Sequence, residues 1–263
     1  MITQHKEHFD TFGFIAMRQL FAAVEMVLIT HEFDAAMSKA RNEQPFYGEQ
    51  RQSVSDWFEG RPAEALLEDG RIQGKIDELL GPDNTFKKGN DGNLYVGDTE
   101  WHPDMGWDPA IPAGKEDPYR LAGNMIYHYV PSIKVAFYLD PVGRETGCLR
   151  VIPGSHRSPY HERFWSLHLD IPARASSLEH VGPQLLAMWE RDTGSAAGGE
   201  ALLSDPSVNH LALEPGDVPS YAIESEPGDV VFFSHQLWHA SFGGASGRRM
   251  FTLNFRSAQE PVL

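Results

Sequence analysis

His102 and Asp104 stand two residues apart in Trp101-His102-Pro103-Asp104. On an extended backbone, side chains at that spacing leave the same side, so an imidazole and a carboxylate can converge on one ion. A third ligand must come from elsewhere in the chain. His239 is the best placed, because it follows Pro227-Gly228-Asp229-Val230-Val231-Phe232-Phe233. That string describes a tight turn and a buried strand with a polar exit. His235, four residues earlier, competes for the same role. Two histidines and one carboxylate on one face, with the opposite positions open, suit non-haem Fe(II). By itself an H-x-D pair is weak evidence in a chain with 12 histidines.

An oxyanion site is the second piece of chemistry. In Arg248-Arg249-Met250-Phe251-Thr252-Leu253-Asn254-Phe255, strand alternation puts Arg248, Met250, Thr252 and Asn254 on one face. Arg249, Phe251, Leu253 and Phe255 take the other and, apart from the arginine, look like core. The polar face suits a pocket wall. An arginine there can hold a carboxylate through two parallel hydrogen bonds, a geometry Lys cannot copy. The competing reading puts both arginines in solvent at a strand start. On the run 133–139, Lys134, Ala136 and Tyr138 share a face that could look into the same pocket.

These side chains need a scaffold. From Leu94 onward, short β-type runs alternate with Gly, Pro and Asp. They are Leu94–Val96, Ile133–Leu139, Leu149–Ile152, Tyr221–Ile223, Val230–Phe233 and Met250–Phe255. Many short strands with frequent turns favour a sandwich or barrel over βαβ units. Pro215-Gly216-Asp217-Val218 echoes Pro227-Gly228-Asp229-Val230, as two successive turns would. The N-terminal third reads helical. Leu20, Phe21, Val24, Val27, Leu28 and His31 recur at three- and four-residue spacing and predict an amphipathic helix over about 18–40. Further helices are expected in 63–80, ended by Gly81-Pro82. Segments 105–131 and 192–200 read as loops, the second suited to a lid.

Composition bounds the function. The 263 residues carry 22 Lys plus Arg against 37 Asp plus Glu, a net charge of −15, which argues against a nucleic-acid binder. No run approaches the roughly 20 apolar residues that cross a bilayer. The single cysteine, Cys148, leaves no intrachain disulfide and no Cys-rich zinc site. A cytoplasmic location and a small-molecule partner are the expectations, with neither nucleic acid nor membrane.

The chain resembles the phytanoyl-CoA dioxygenase family of Fe(II)- and 2-oxoglutarate-dependent oxygenases. His102-Pro103-Asp104 is similar to its H-x-D pair and His239-Ala240-Ser241 to its distal H-x-S. Glu145-Thr146-Gly147-Cys148-Leu149-Arg150-Val151-Ile152-Pro153-Gly154-Ser155-His156 is similar to its N-G-C-L-x-x-x-P-G-S/T-H segment. Phe9-Asp10-Thr11-Phe12-Gly13-Phe14-Ile15 resembles a family N-terminus. The likeness spans about residues 9–256.

The resemblance implies one domain over 1–263, with a helical region at about 15–80 and a double-stranded β-helix, or jelly roll, at about 92–256. It implies Fe(II) on His102, Asp104 and His239, with 2-oxoglutarate and O2 as cosubstrates. The far carboxylate of 2-oxoglutarate would pair with Arg248, near Ser241. The loop from His239 to Arg248 is about two residues shorter than the common form, which keeps Arg249 as an alternative. Lys134, on the face shared with Ala136 and Tyr138, is a further candidate for cosubstrate contact. The expected reaction hydroxylates an unactivated C–H of a small metabolite or natural-product intermediate, releasing succinate and CO2. Asp104 fills a position that related halogenases leave to halide. Desaturation or cyclisation would use the same residues, and a jelly-roll isomerase or hydrolase could use the metal without 2-oxoglutarate. Trp107, Tyr127, Tyr138, Arg150 and His156 are candidate walls of the substrate pocket.

Overall fold

The computed structural model of the chain describes residues 3–104, 131–157 and 218–258. A first helix, α1 (Gln4–Phe12), starts at Thr3, whose hydroxyl accepts a bond from the Lys6 amide, and stops at Gly13. Strand β1 (Phe14–Met17) follows, then α2 (Ala23–Ala40) and β2 (Gln52–Ser55). A short 3₁₀ turn at Pro62–Glu68 leads into α3 (Gly70–Leu80), which ends at Gly81 as expected. Strands β3 (Asn84–Lys87), β4 (Asp91–Tyr95) and β5 (Thr99–His102) come next. The rest are β6 (Ser132–Tyr138), β7 (Leu149–Val151), β8 (Tyr221–Ile223), β9 (Val230–Ser234), β10 (His239–Ser241) and β11 (Arg248–Ser257).

The strands form two sheets. The larger runs β1-β9-β6-β11-β4-β2, with β3 also on β11; the smaller runs β5-β10-β7-β8. All named pairings are antiparallel. Register decides the faces, because cross-strand partners share one. Arg248 pairs with Tyr95, Met250 with Tyr138, Thr252 with Ala136 and Asn254 with Lys134. Ile133, Val135, Phe137, Phe251, Leu253 and Phe255 lie on the opposite face and join the helices in one core cluster. Ala136, Tyr138, Val231 and Phe233 of the large sheet pack with Leu149, Val151 and Ile223 of the small one in a second cluster. That second cluster is the interior between the sheets.

Helix α2 is present, but its buried face is not the expected one. Val24, Val27 and Leu28 are 68%, 67% and 65% exposed, while Met26, Ile29, Phe33, Ala36 and Met37 are buried. The helix carries apolar residues on two sides, so periodicity alone offers two stripes. The one with the aromatic ring wins: Phe33 meets Trp57 edge-on at 5.2 Å, and Trp57 meets Phe251 at 5.0 Å. The N-terminal region is also less purely helical than expected, since β1 and β2 are part of the large sheet.

The Pro227–Val230 turn ties the sheet to the start of this helical layer. The buried Asp229 carboxylate accepts from the Gln19 and Glu226 amides at 2.8 and 3.1 Å and from Arg18 Nη1 at 2.7 Å. Gly228 has φ 105°, and a Cβ there would lie 2.5 Å from the Phe21 carbonyl, so the turn requires glycine. The echoing residues 215–217 lie outside the described residues. No helix among those described is long and apolar enough to cross a membrane.

Candidate metal centre and anion pocket

His102 ends β5, and His239 begins β10 directly opposite it in register. Asp104 follows β5 by two residues. The ligand atoms of His102, Asp104 and His239 all lie within 4.8 Å of one another. The imidazole centroids are 4.3 Å apart. His239 Nε2 is 3.2 Å from Asp104 Oδ2, and His102 Nε2 is 3.8 Å from Asp104 Oδ1.

The tautomers are set by the backbone. His102 Nδ1 lies 2.7 Å from the Glu100 carbonyl, and His239 Nδ1 lies 2.8 Å from the Leu237 carbonyl. A carbonyl can only accept, so Nδ1 carries a proton in each ring and Nε2 is the atom turned to the centre. Carbonyls in this position are what orients metal-binding histidines. Phe233 packs edge-on against the His239 ring at 5.0 Å and further fixes it.

The electrostatics agree with ligation. Burial, then the neighbouring His239, lowers the His102 pKa to about 3, so the ring is neutral at pH 7. Burial works to raise the Asp104 pKa, but Lys134 and His239 together hold it well below the usual carboxylate range. Lys134 Nζ stands 2.7 Å from Asp104 Oδ2. Two imidazole nitrogens and one carboxylate oxygen, already gathered, fit Fe(II).

The two candidate arginines diverge. Arg249 faces the helices, where Asp140 receives its Nε at 3.2 Å and its Nη2 at 2.5 Å, and Asp34 receives its Nη1 at 2.8 Å. Arg248 points between the sheets and is buried. Its Nε and Nη1 find no hydrogen-bond partner among the described residues. The Tyr95 ring carries its guanidinium at 4.8 Å. Gly147 and Gly244 flank it, and at Gly147, with φ 87°, a Cβ would overlap Nη1. Ser241 Oγ donates to the Gly147 carbonyl at 2.9 Å and so steadies that wall. A buried cation without a counter-ion is costly, and a ligand carboxylate would relieve the cost. The donors therefore fit 2-oxoglutarate as well as iron.

The other expected residues are scattered. Tyr138 is buried on the interior face, its phenol pKa raised by burial against the opposing pull of Arg248. Arg150 is turned away from the interior that Leu149 and Val151 enter. It donates to the Arg144 carbonyl at 2.8 Å and lies over Phe242 at 5.2 Å. His156 packs against Gly13, where a Cβ would come within 2.6 Å of its Nδ1. His235, the competing ligand, instead contacts Asn254 Oδ1 through Nε2 at 3.2 Å. Trp107, Tyr127 and the two loops 105–130 and 192–200 lie outside the described residues. Tyr95 went unnoticed in the sequence, where only its place inside the short run Leu94–Val96 marks it. Its register with Arg248 is a property of the folded sheet.

Several solved structures are similar. The non-heme alpha ketoglutarate dependent carbocyclase SnoK from nogalamycin biosynthesis is 16% identical, with a TM-score of 0.60 over 98% of this chain and 85% of that one. The epimerase SnoN of the same biosynthesis is 16% identical, with a TM-score of 0.59 over 97% and 82%. HygX from Streptomyces hygroscopicus, solved with nickel and 2-oxoglutarate bound, is 16% identical, with a TM-score of 0.56 over 97% and 87%. At such identity the likeness speaks for the fold. No curated protein matches the chain. The family model described as phytanoyl-CoA dioxygenase matches residues 9–251, nearly the whole length. The chain belongs to the phytanoyl-CoA dioxygenase family of Fe(II)- and 2-oxoglutarate-dependent oxygenases.

Proposed function

We propose that this single-domain protein removes hydrogen from an unactivated carbon of a small molecule, within a double-stranded β-helix built from the two facing sheets. The observation that carries the reading is the pairing of two sites in one interior: a gathered His-Asp-His set and a buried Arg248 with no acid to meet it among the described residues. Held by these residues, Fe(II) with 2-oxoglutarate and O2 would supply the oxidising power, with succinate and CO2 as coproducts.

The chain's own residues bind and orient. His102 and His239 offer Nε2, and Asp104 offers a carboxylate oxygen, in the roles of metal ligands. Arg248 receives the far carboxylate of 2-oxoglutarate, and Ser241 acts through Gly147 to keep its slot in shape. Lys134, 2.7 Å from Asp104 Oδ2, offsets that carboxylate's charge and would be a cation within reach of the cosubstrate. Val231, Phe233, Leu149 and Ile223 keep water from the reacting centre. Arg249 is engaged on the helical side and has no part in the pocket.

Hydroxylation is the outcome that the sequence favours. The similar fold serves a named carbocyclase and a named epimerase, so ring closure or inversion at carbon has better support as the fate of the substrate. Natural-product intermediates are the substrate class on the same ground. The test is succinate release from protein, Fe(II) and 2-oxoglutarate across a panel of polyketide and glycosylated intermediates, with products identified by mass. A product lighter by two hydrogens supports cyclisation; one isomeric with its substrate supports epimerisation, and because that outcome leaves the substrate's oxidation state unchanged it requires two electrons from an added reductant such as ascorbate, included in the assay. A gain of one oxygen returns the reading to hydroxylase. Substrate turnover without 2-oxoglutarate consumption would overturn both.

A further inference from the structure

Arg51 precedes β2, and Gln52 of β2 pairs with Leu94 of β4. The register therefore brings Arg51 beside Tyr95, and Tyr95 beside Arg248. The side chains follow the backbone. Arg51 lies over the Tyr95 ring at 4.7 Å and Arg248 lies over it at 4.8 Å. Arg51 is aimed by its Nε, which donates to the Oδ1 of the buried Asn93 at 2.8 Å. No carboxylate pairs with either guanidinium among the described residues. Two like charges sharing one ring repel each other, and the ring's negative face offsets only part of that cost. Burial raises the Tyr95 phenol pKa; Arg51, Lys134 and Arg248 act against that rise, while Asp104, which pairs with Lys134 at 2.7 Å, adds to it, so that the two guanidiniums at the ring are the charges left without a carboxylate among the described residues. In a protein of net charge −15 such a concentration calls for an anion.

We propose that Tyr95 and Arg51 are positioning residues for the cosubstrate: Tyr95 holds the Arg248 guanidinium ready, and Arg51 adds the second positive charge that draws the carboxylate in. The inference rests on the reading of Arg248 as the 2-oxoglutarate anchor. Tyr95 acts through its π face, so Phe can replace it. Leu keeps bulk but cannot attract a cation. Arg51 is exposed at the sheet edge, so its action is electrostatic and sensitive to salt.

Calorimetry of 2-oxoglutarate binding to the full chain loaded with Mn(II) tests this without turnover. Tyr95→Leu should weaken binding about tenfold, and Tyr95→Phe should stay within about twofold of wild type. Arg51→Gln should weaken binding about threefold at low salt, with the difference closing at high salt, and Arg51→Lys should recover most of it. Mn(II) affinity should not move in any of these variants, a result that a merely structural role for Tyr95 would not give. Wild-type affinity in both Tyr95→Leu and Arg51→Gln, with binding lost in Arg248→Ala, would overturn the proposal and leave the anchor intact. A salt-independent loss in Arg51→Gln would overturn its electrostatic part. Failure of the wild type to bind 2-oxoglutarate would overturn the anchor reading itself.

Discussion

Arg248 and Arg249 are neighbours on β11 whose guanidinium groups lie on opposite faces of the sheet. Arg249 is held by Asp140 and Asp34, and Arg248 has no carboxylate among the described residues. Arg248→Ala should therefore weaken 2-oxoglutarate binding by about 100-fold, as loss of a two-point charged hydrogen bond implies. Arg249→Ala should leave that affinity alone and lower stability by about 1 kcal/mol. Ligand titration and thermal melts of the two variants check the division.

Gly147 gives an independent route to the same pocket. Gly147→Ala adds a methyl where Arg248 Nη1 now sits and strains a backbone at φ 87°. The expected result is a loss of 2-oxoglutarate affinity of at least about tenfold, with Mn(II) binding retained. Parallel titrations with the metal and with the cosubstrate separate the two effects.

His102, Asp104 and His239 act as a unit. Alanine at any one should weaken metal binding by more than about 100-fold, since each is one of the three ligands that the described residues gather. His235→Ala should spare the metal, because His235 contacts Asn254 instead. Metal content after dialysis against Mn(II), measured by elemental analysis, checks all four.

The metal-free protein should lose stability in mild acid. Burial lowers the His102 pKa to about 3 and the His235 pKa to about 4, whereas both are near 6.5 in the unfolded chain. The unfolded chain thus binds more protons in this window. The stabilisation is full above pH of about 6.5 and is lost as pH falls through about 4 and about 3. Denaturant midpoints from pH 7 to pH 4 should fall steadily, and a midpoint that is flat or rises over this range would contradict the assignment.

The outward face of α2 should tolerate change. Leu28→Lys is expected within about 0.5 kcal/mol of wild type. Phe33→Ala should cost about 3–5 kcal/mol through the cavity it leaves beside Trp57. Urea melts of the two distinguish the faces.

The degree to which the sequence disclosed this arrangement follows its local signals. The runs around 133–139, 149–152, 221–223, 230–233 and 250–255 are rich in β-branched and aromatic residues between turn residues, and all carry strands. The alternation in β11 also separated Arg248 from Arg249 in advance, because period two is strict in a strand. Strands β1, β2, β3 and β5 have four residues each, too few for a pattern, and tertiary pairing alone defines them. The face of α2 was ambiguous because both sides are apolar. Tyr95 and Arg51 depend on register between distant strands, which no local pattern encodes. Arg150 sits in the most specific motif, yet its side chain serves the loop at Arg144.

The most direct test is an anaerobic titration of the metal-free protein with Fe(II) and then 2-oxoglutarate, followed by visible absorption. The account predicts a charge-transfer band for the wild type. In Arg248→Ala the band should need far more 2-oxoglutarate, and in His239→Ala it should be absent. Fe(II) binding with no band at saturating 2-oxoglutarate would contradict the account and leave a metal centre that works without this cosubstrate.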